Sequence, residues 1–184
     1  MARALNLSQA QARTLLRNLG KRDLVNKFSP RLGHCLSSKG KTFWKKCLHF
    51  FQIPHQRIHL GPRYTMGTKD AAVCVEATGI EQLNTVILRD EALMNGAMGC
   101  TVFLHDLSGE FFLLDAIYPP LPKTTFSDRK SKRKLSRLIA GIAWPKVIII
   151  VGTANHVVDA QIGAISAALL LVPEEIRYFF QDVF

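Results

Sequence analysis

Acidic side chains are nearly missing from the first 69 residues, which hold fourteen lysines and arginines and a single acid, Asp23. That shortage excludes the interspersed charge of an ordinary solvated surface. Cysteines are few and scattered, and Cys35, Cys47, Cys74 and Cys100 form no C-x-x-C pair. A close-paired redox motif is thereby excluded, and reduced thiols are expected, with the chain placed in the nucleus, the cytoplasm or an organelle matrix. No stretch reaches the roughly 18–20 apolar residues of a membrane-spanning helix. The N-terminus lacks the apolar core of a secretory signal. Internal repeats are missing, as are the nucleophile elbow, the HExxH helix, the dinucleotide-binding glycine fingerprint and the deaminase signature.

What is present is enough apolar material to fold. Hydrophobic residues make up 48% of the 184, so a core is expected. The net charge of +10 at pH 7 favours anionic partners. Its distribution is uneven: +13 over residues 1–69, −7 over 70–122, +6 over 123–137 and −2 over 138–184. These blocks predict an α+β chain in two parts. A basic N-terminal arm, 1–69, starts as a helix and continues as an irregular segment. A compact core, 70–184, follows, with a β-hairpin sheet, a basic loop at 123–137 and a C-terminal helix.

Local signals fill in this outline. Ser8 and Gln11 make a capping box for a first helix, which runs through Leu15, Leu16 and Leu19 to Gly20. The same acid-free stretch, Met1 to Arg22 with Arg3 and Leu5, also reads as a mitochondrial presequence. A short turn is expected from Asp23 to Phe28, then irregular chain from Arg31 to Thr68, with helix potential over Lys41 to Phe51. Ala71–Thr78 and Asn84–Arg89 read as strands. Cys100–Asp106 and Glu110–Tyr118 flank Leu107-Ser108-Gly109 and predict a hairpin, which Pro119, Pro120 and Pro122 should end. Lys123–Arg137 reads as an exposed connector and Lys146–Val151 as a buried strand, broken by Gly152–Asn155. His156–Val172 leans to helix. Pro173-Glu174-Glu175 then opens a last helix whose face of Ile176, Phe179, Phe180 and Val183 should dock on the core.

Three segments carry binding chemistry. In the first helix, Arg13, Arg17, Lys21 and Arg22 would contact a polyanion. The run Ser38 to Lys46 offers Lys39, Lys41, Lys45 and Lys46 for phosphates, with Phe43 and Trp44 to stack unpaired bases. The third segment, Arg129, Lys130, Lys132, Arg133 and Lys134, suits a phosphate-tracking loop or a nuclear-import signal. Gly40-Lys41-Thr42 imitates the end of a phosphate-binding loop, but that motif needs glycine where the chain has Cys35.

Two further chemistries are weaker. Cys35, Cys47, His49, His55 and His59 are metal-ligand types, and His55/His59 have zinc-site spacing; the cysteines lie twelve apart, unlike a common finger. Zinc is therefore a weak candidate and no cofactor is expected. For hydrolysis, Asp106, Asp115 and Asp159 with His105 and His156 are the available acids and bases.

The sequence thus predicts a non-enzymatic nucleic-acid-binding protein, for RNA or DNA. Ribosomal proteins and small viral coat or movement proteins share this general layout. The acidic 70–122 region facing basic arms of neighbouring copies would give a homo-oligomer or larger assembly. One alternative is a membrane-associated protein that uses the 123–137 basic segment and the apolar 138–172 stretch. The other is a metal-dependent hydrolase built on acids of the 100–118 hairpin.

Overall fold

Ser8 precedes helix α1, Gln9–Lys21, and its carbonyl accepts the Ala12 amide at 3.0 Å. A computed structural model of the chain describes residues 8–29, 33–54, 58–77, 83–114, 123–125 and 128–181. Arg3, Leu5 and the prolines at 119, 120 and 122 fall outside these, as does the side chain of Gln11. The chain is α+β and divides into two compact units. Met1–Phe50 with Pro173–Phe184 forms one, and Phe51–Val172 forms the other, whereas the sequence suggested a division at residue 69.

The first unit follows from how α1 stops. Asp23 adopts a left-handed φ of 58°, and its amide and that of Leu24 bond back to the carbonyls of Gly20 and Leu19. The reversed chain forms β1, Val25–Ser29, paired antiparallel with β2, Gly33–Leu36. Ser37 then starts α2, Ser38–Phe50. Its hydroxyl donates to the Asp23 carbonyl and accepts the Gly40 amide at 2.9 Å, while its amide donates to Leu24. One serine thus ties the end of α1, the ribbon and the start of α2 together. The expected turn over Asp23–Phe28 and the irregular chain after Arg31 are corrected to this ribbon and helix. No Asn-Gly or Asp-Gly turn marks the ribbon, so hairpin signals miss it. Helix α6, Glu174–Gln181, closes the unit with Ile176 buried. It groups with residues 1–50.

The second unit is a six-stranded sheet, ordered β3-β4-β8-β5-β6-β7, and every described pairing in it is antiparallel. Its strands are β3 (Phe51–Gln52), β4 (Lys69–Glu76), β5 (Gly99–His105), β6 (Phe111–Leu114), β7 (Lys123–Thr125) and β8 (Val147–Ala154). The run of β-branched residues in β8 is buried on both faces between β4 and β5. On one face, Ala72, Cys74, Phe103, Val147, Ile149 and Val151 meet Leu135 and Leu138 of α4, Arg129–Ile139. The opposite face carries α3, Thr85–Met94, and α5, Val157–Leu169.

Several local expectations change here. Asn84–Arg89 is helical, because the Asn84 carboxamide accepts the Val86 and Ile87 amides and nucleates α3 against the strand preference of Val-Ile-Leu. Strand β8 does not break at Gly152. A Cβ there would stand 2.3 Å from the Ala160 carbonyl oxygen, so glycine lets α5 lie against the strand. The 123–137 connector is strand β7 followed by helix α4, and the sheet continues past the prolines through β7. The hairpin over Leu107-Ser108-Gly109, the buried strand from Lys146 and the helix after His156 stand as read.

Candidate nucleic-acid interface

Helix α1 sorts its residues by face. Ala12 is buried, and Leu15, Leu16 and Leu19 are half-buried on the inner side. Arg13, Arg17 and Lys21, spaced by four, share the outer side with exposed Gln9 and Thr14. Arg22 lies half-buried in the turn beyond and has contacts of its own. Gln9 and Thr14 were not singled out from the sequence, although Gln9 stands four residues before Arg13 and Thr14 three before Arg17, spacings that were there to read.

The ribbon after α1 carries exposed Asn26 and Lys27 on β1 and exposed His34 and Cys35 on β2, with Lys27 opposite His34. Sequence reasoning missed Lys27 and His34 because it did not find the ribbon.

On α2, Lys39, Lys41, Lys45 and Lys46 are exposed. Trp44 is 45% exposed, whereas Phe43 is half-buried and has contacts of its own. Consecutive helical residues point about 100° apart, so the two rings cannot form one stacking platform. The Gly40-Lys41-Thr42 sequence lies inside the helix, with Gly40 buried against the Leu24 carbonyl. None of the basic residues of α1 or α2 forms an ion pair with a described residue.

Helix α4, on the second unit, exposes Arg129, Lys130, Arg133 and Arg137. Arg137 extends the four-residue spacing of Arg129 and Arg133 and was not in the predicted set. The other two basic residues are engaged: the Lys132 ammonium pairs with Glu110, and that of Lys134 donates to the His59 carbonyl. Asp128 caps the helix by accepting from the Lys130 amide at 3.0 Å and the Ser131 hydroxyl at 2.7 Å, bonds that hold its carboxyl below the usual range.

The other candidate groups are dispersed or already occupied. Cys35 is exposed on β2, while Cys47 is buried on α2, where burial pushes its thiol up to about 11. His49 stacks edge-on against Phe50, and His59 lies 3.2 Å from Asp70; His55 falls outside the described residues. No three metal-ligating side chains gather among the described residues. Asp106 accepts from the amides of Ser108 and Glu110 and from the Ser108 hydroxyl, so it shapes the hairpin turn. Asp115 lies outside the described residues, Asp159 sits in the first turn of α5, and His156 is exposed at that helix's start. Burial lowers the pKa of His105, against the opposing charges of Asp106 and Glu110. The apolar 138–172 stretch forms the central strand and α5, and no described helix is long and apolar enough to cross a membrane.

No family model and no curated protein matches the chain. Among solved structures it is similar to the hypothetical protein PH0730 from Pyrococcus horikoshii OT3, at 23% identity and a TM-score of 0.69. The match covers all of this chain and 88% of that one, and it concerns the fold alone.

Proposed function

We propose that the first unit binds nucleic acid, and that its target is duplex DNA. The observation that carries this reading is the outer face of α1, where Gln9, Arg13, Thr14, Arg17 and Lys21 stand exposed and the cations have no ion-pair partner among the described residues. The major groove of B-form DNA accepts a helix of this width or a two-stranded ribbon. Arginine and glutamine are the side chains that pair bidentately with guanine and adenine edges there. Directly after α1 comes such a ribbon, with Lys27 and His34 exposed, suited to the adjoining backbone. The deep, narrow major groove of A-form RNA would not admit the helix. With twelve lysines and arginines against four acids, the first unit holds most of the chain's excess charge.

A salt series tests the proposal by fluorescence anisotropy with a duplex DNA, the matching duplex RNA and a single strand. Log affinity for the DNA should fall linearly with log salt, by about 0.9 per phosphate contacted. Changing Arg13, Arg17 and Lys21 together to alanine should weaken DNA binding most and relax its sequence preference, and should flatten the slope by about 0.9 for each of them that rests on a phosphate. Equal affinity for all three nucleic acids, unchanged in the triple variant, would sink the reading. Preference for the single strand, lost in Trp44→Ala, would instead favour stacking on α2.

A further inference from the structure

The second unit contains a half-open cavity of about 380 Å³. Its apolar lining comes from Val102 of β5 and Leu113 and Leu114 of β6, while Thr85 and Thr101 line it with hydroxyls. Two arginines, Arg63 before β4 and Arg89 on α3, also line it, with Tyr64, Val86 and Cys100. The volume falls within the range of small-molecule sites, and the polar groups of the lining outweigh the apolar ones, as an anionic ligand needs.

The wall that carries Arg63 is built rigidly. Asp70 is buried on β4, and its Oδ2 accepts the Leu60 amide at 2.9 Å and the Thr65 hydroxyl at 3.1 Å. Tyr64 and Thr65 both donate their amides to the Gly61 carbonyl at 3.0 Å, closing a tight turn. The Thr101 hydroxyl donates to the Tyr64 carbonyl at 2.5 Å and fastens the turn to β5. Tyr64 packs edge-on against Phe103, and the Arg63 guanidinium sits 5.5 Å from the Tyr64 ring centroid. Across the cavity, the Asn84 cap fixes the first turn of α3, which presents Arg89 one turn further on. Because Asn84 already uses the Val86 and Ile87 amides, the arginines and not the helix end supply the positive charge.

The acids nearby leave that charge available. Asp90 holds Arg89 through a single carboxylate oxygen, at 2.9 and 3.2 Å, in a pair about half exposed on each side. Such a pair is screened and readily exchanged. Asp128 lies within electrostatic reach of Arg63, but it is committed to capping α4.

We infer that this cavity binds a small organic anion, with its carboxylate, sulfonate or phosphate between Arg63 and Arg89 and an apolar body against Val102, Leu113 and Leu114. Guanidinium groups favour such planar or branched oxyanions because they donate two parallel hydrogen bonds. The site is independent of the nucleic-acid face and stands or falls separately from it.

Titration of the full chain with 8-anilinonaphthalene-1-sulfonate tests the inference, with the uncharged N-phenyl-1-naphthylamine as comparison. The anion should bind saturably at one site per chain, and the neutral dye at least tenfold more weakly. In the Arg63→Gln/Arg89→Gln variant the anion should lose at least tenfold in affinity and the neutral dye should not change. Both arginines are exposed, so the variant should fold, and an unchanged circular-dichroism melt verifies this. Anion binding that is equal in the double variant, no stronger than that of the neutral dye, or not saturable would overturn the proposal.

Discussion

Gly40 shows how one residue type serves opposite ends at the residue scale. In an exposed helix interior, glycine to alanine stabilises by about 1 kcal/mol. Here a Cβ would stand 2.0 Å from the Leu24 carbonyl oxygen, an atom of the backbone that cannot rotate aside. Overpacking of this kind costs about 1–3 kcal/mol, so Gly40→Ala should destabilise the first unit. Denaturant unfolding followed by tryptophan fluorescence in a Trp144→Phe background, where Trp44 is the one tryptophan left, measures it, and a gain in stability would show that α2 does not pack as described. His105 gives a pH dependence. Burial lowers its folded pKa below 6.5, so between the two values the unfolded chain binds more protons than the folded one. Its contribution to stability is therefore complete above pH 6.5 and is lost as pH falls through the folded value. His105→Phe keeps the packing on Phe111, whose ring lies 4.7 Å away, and should remove this part of the acid sensitivity. An identical pH profile in wild type and variant would refute the assignment.

At the scale of elements, legibility followed how self-sufficient each signal was. The β5–β6 hairpin was readable because Asp106, Ser108 and Gly109 encode the turn locally, and Gly109 takes the left-handed φ of 78° that the turn needs. Strand β8 was readable because a strand buried on both faces becomes a continuous β-branched run. Helix α4 was hidden by its charge: Leu135 and Leu138 are its buried apolar residues, and the basic residues around them resemble a solvated loop. The cavity could not be foreseen, since Arg63, Arg89 and Thr101 are brought together only by the sheet order. Helix α3 was misread because Val86, Ile87 and Leu88 favour strands while the deciding signal is one cap residue. Asn84→Ala should accordingly cost about 1 kcal/mol, and Asn84→Asp should recover most of it. Thermal melts compare the three proteins. An alanine variant as stable as wild type would mean that packing on α5 alone, and not the cap, sets the start of α3.

Charge and burial divide the whole molecule along the same line. The first unit draws on both chain ends and concentrates the cations, while the second holds most of the acids around a sheet with little net charge. Of the charge blocks in the sequence, the basic residues up to Lys46 lie in the first unit and the basic 123–137 block lies in the second. Order should follow burial. The eight residues of β8 are all buried and pair with a strand on each side, so their amides should open only when the second unit unfolds as a whole. The β1–β2 ribbon has a single pairing and exposed side chains, and a two-stranded ribbon is marginal by itself. Native-state hydrogen exchange resolved by residue should therefore find the slowest amides in β8 and in the β4 and β5 positions facing it, with β1 and β2 exchanging orders of magnitude faster. Adding duplex DNA should slow the amides of α1 and the ribbon and leave those of β8 unchanged, because binding stabilises only the unit that makes the contacts. Protection in β1 and β2 that equals that of β8 without DNA would contradict this ordering. A DNA-induced change confined to the second unit would move the interface to α4.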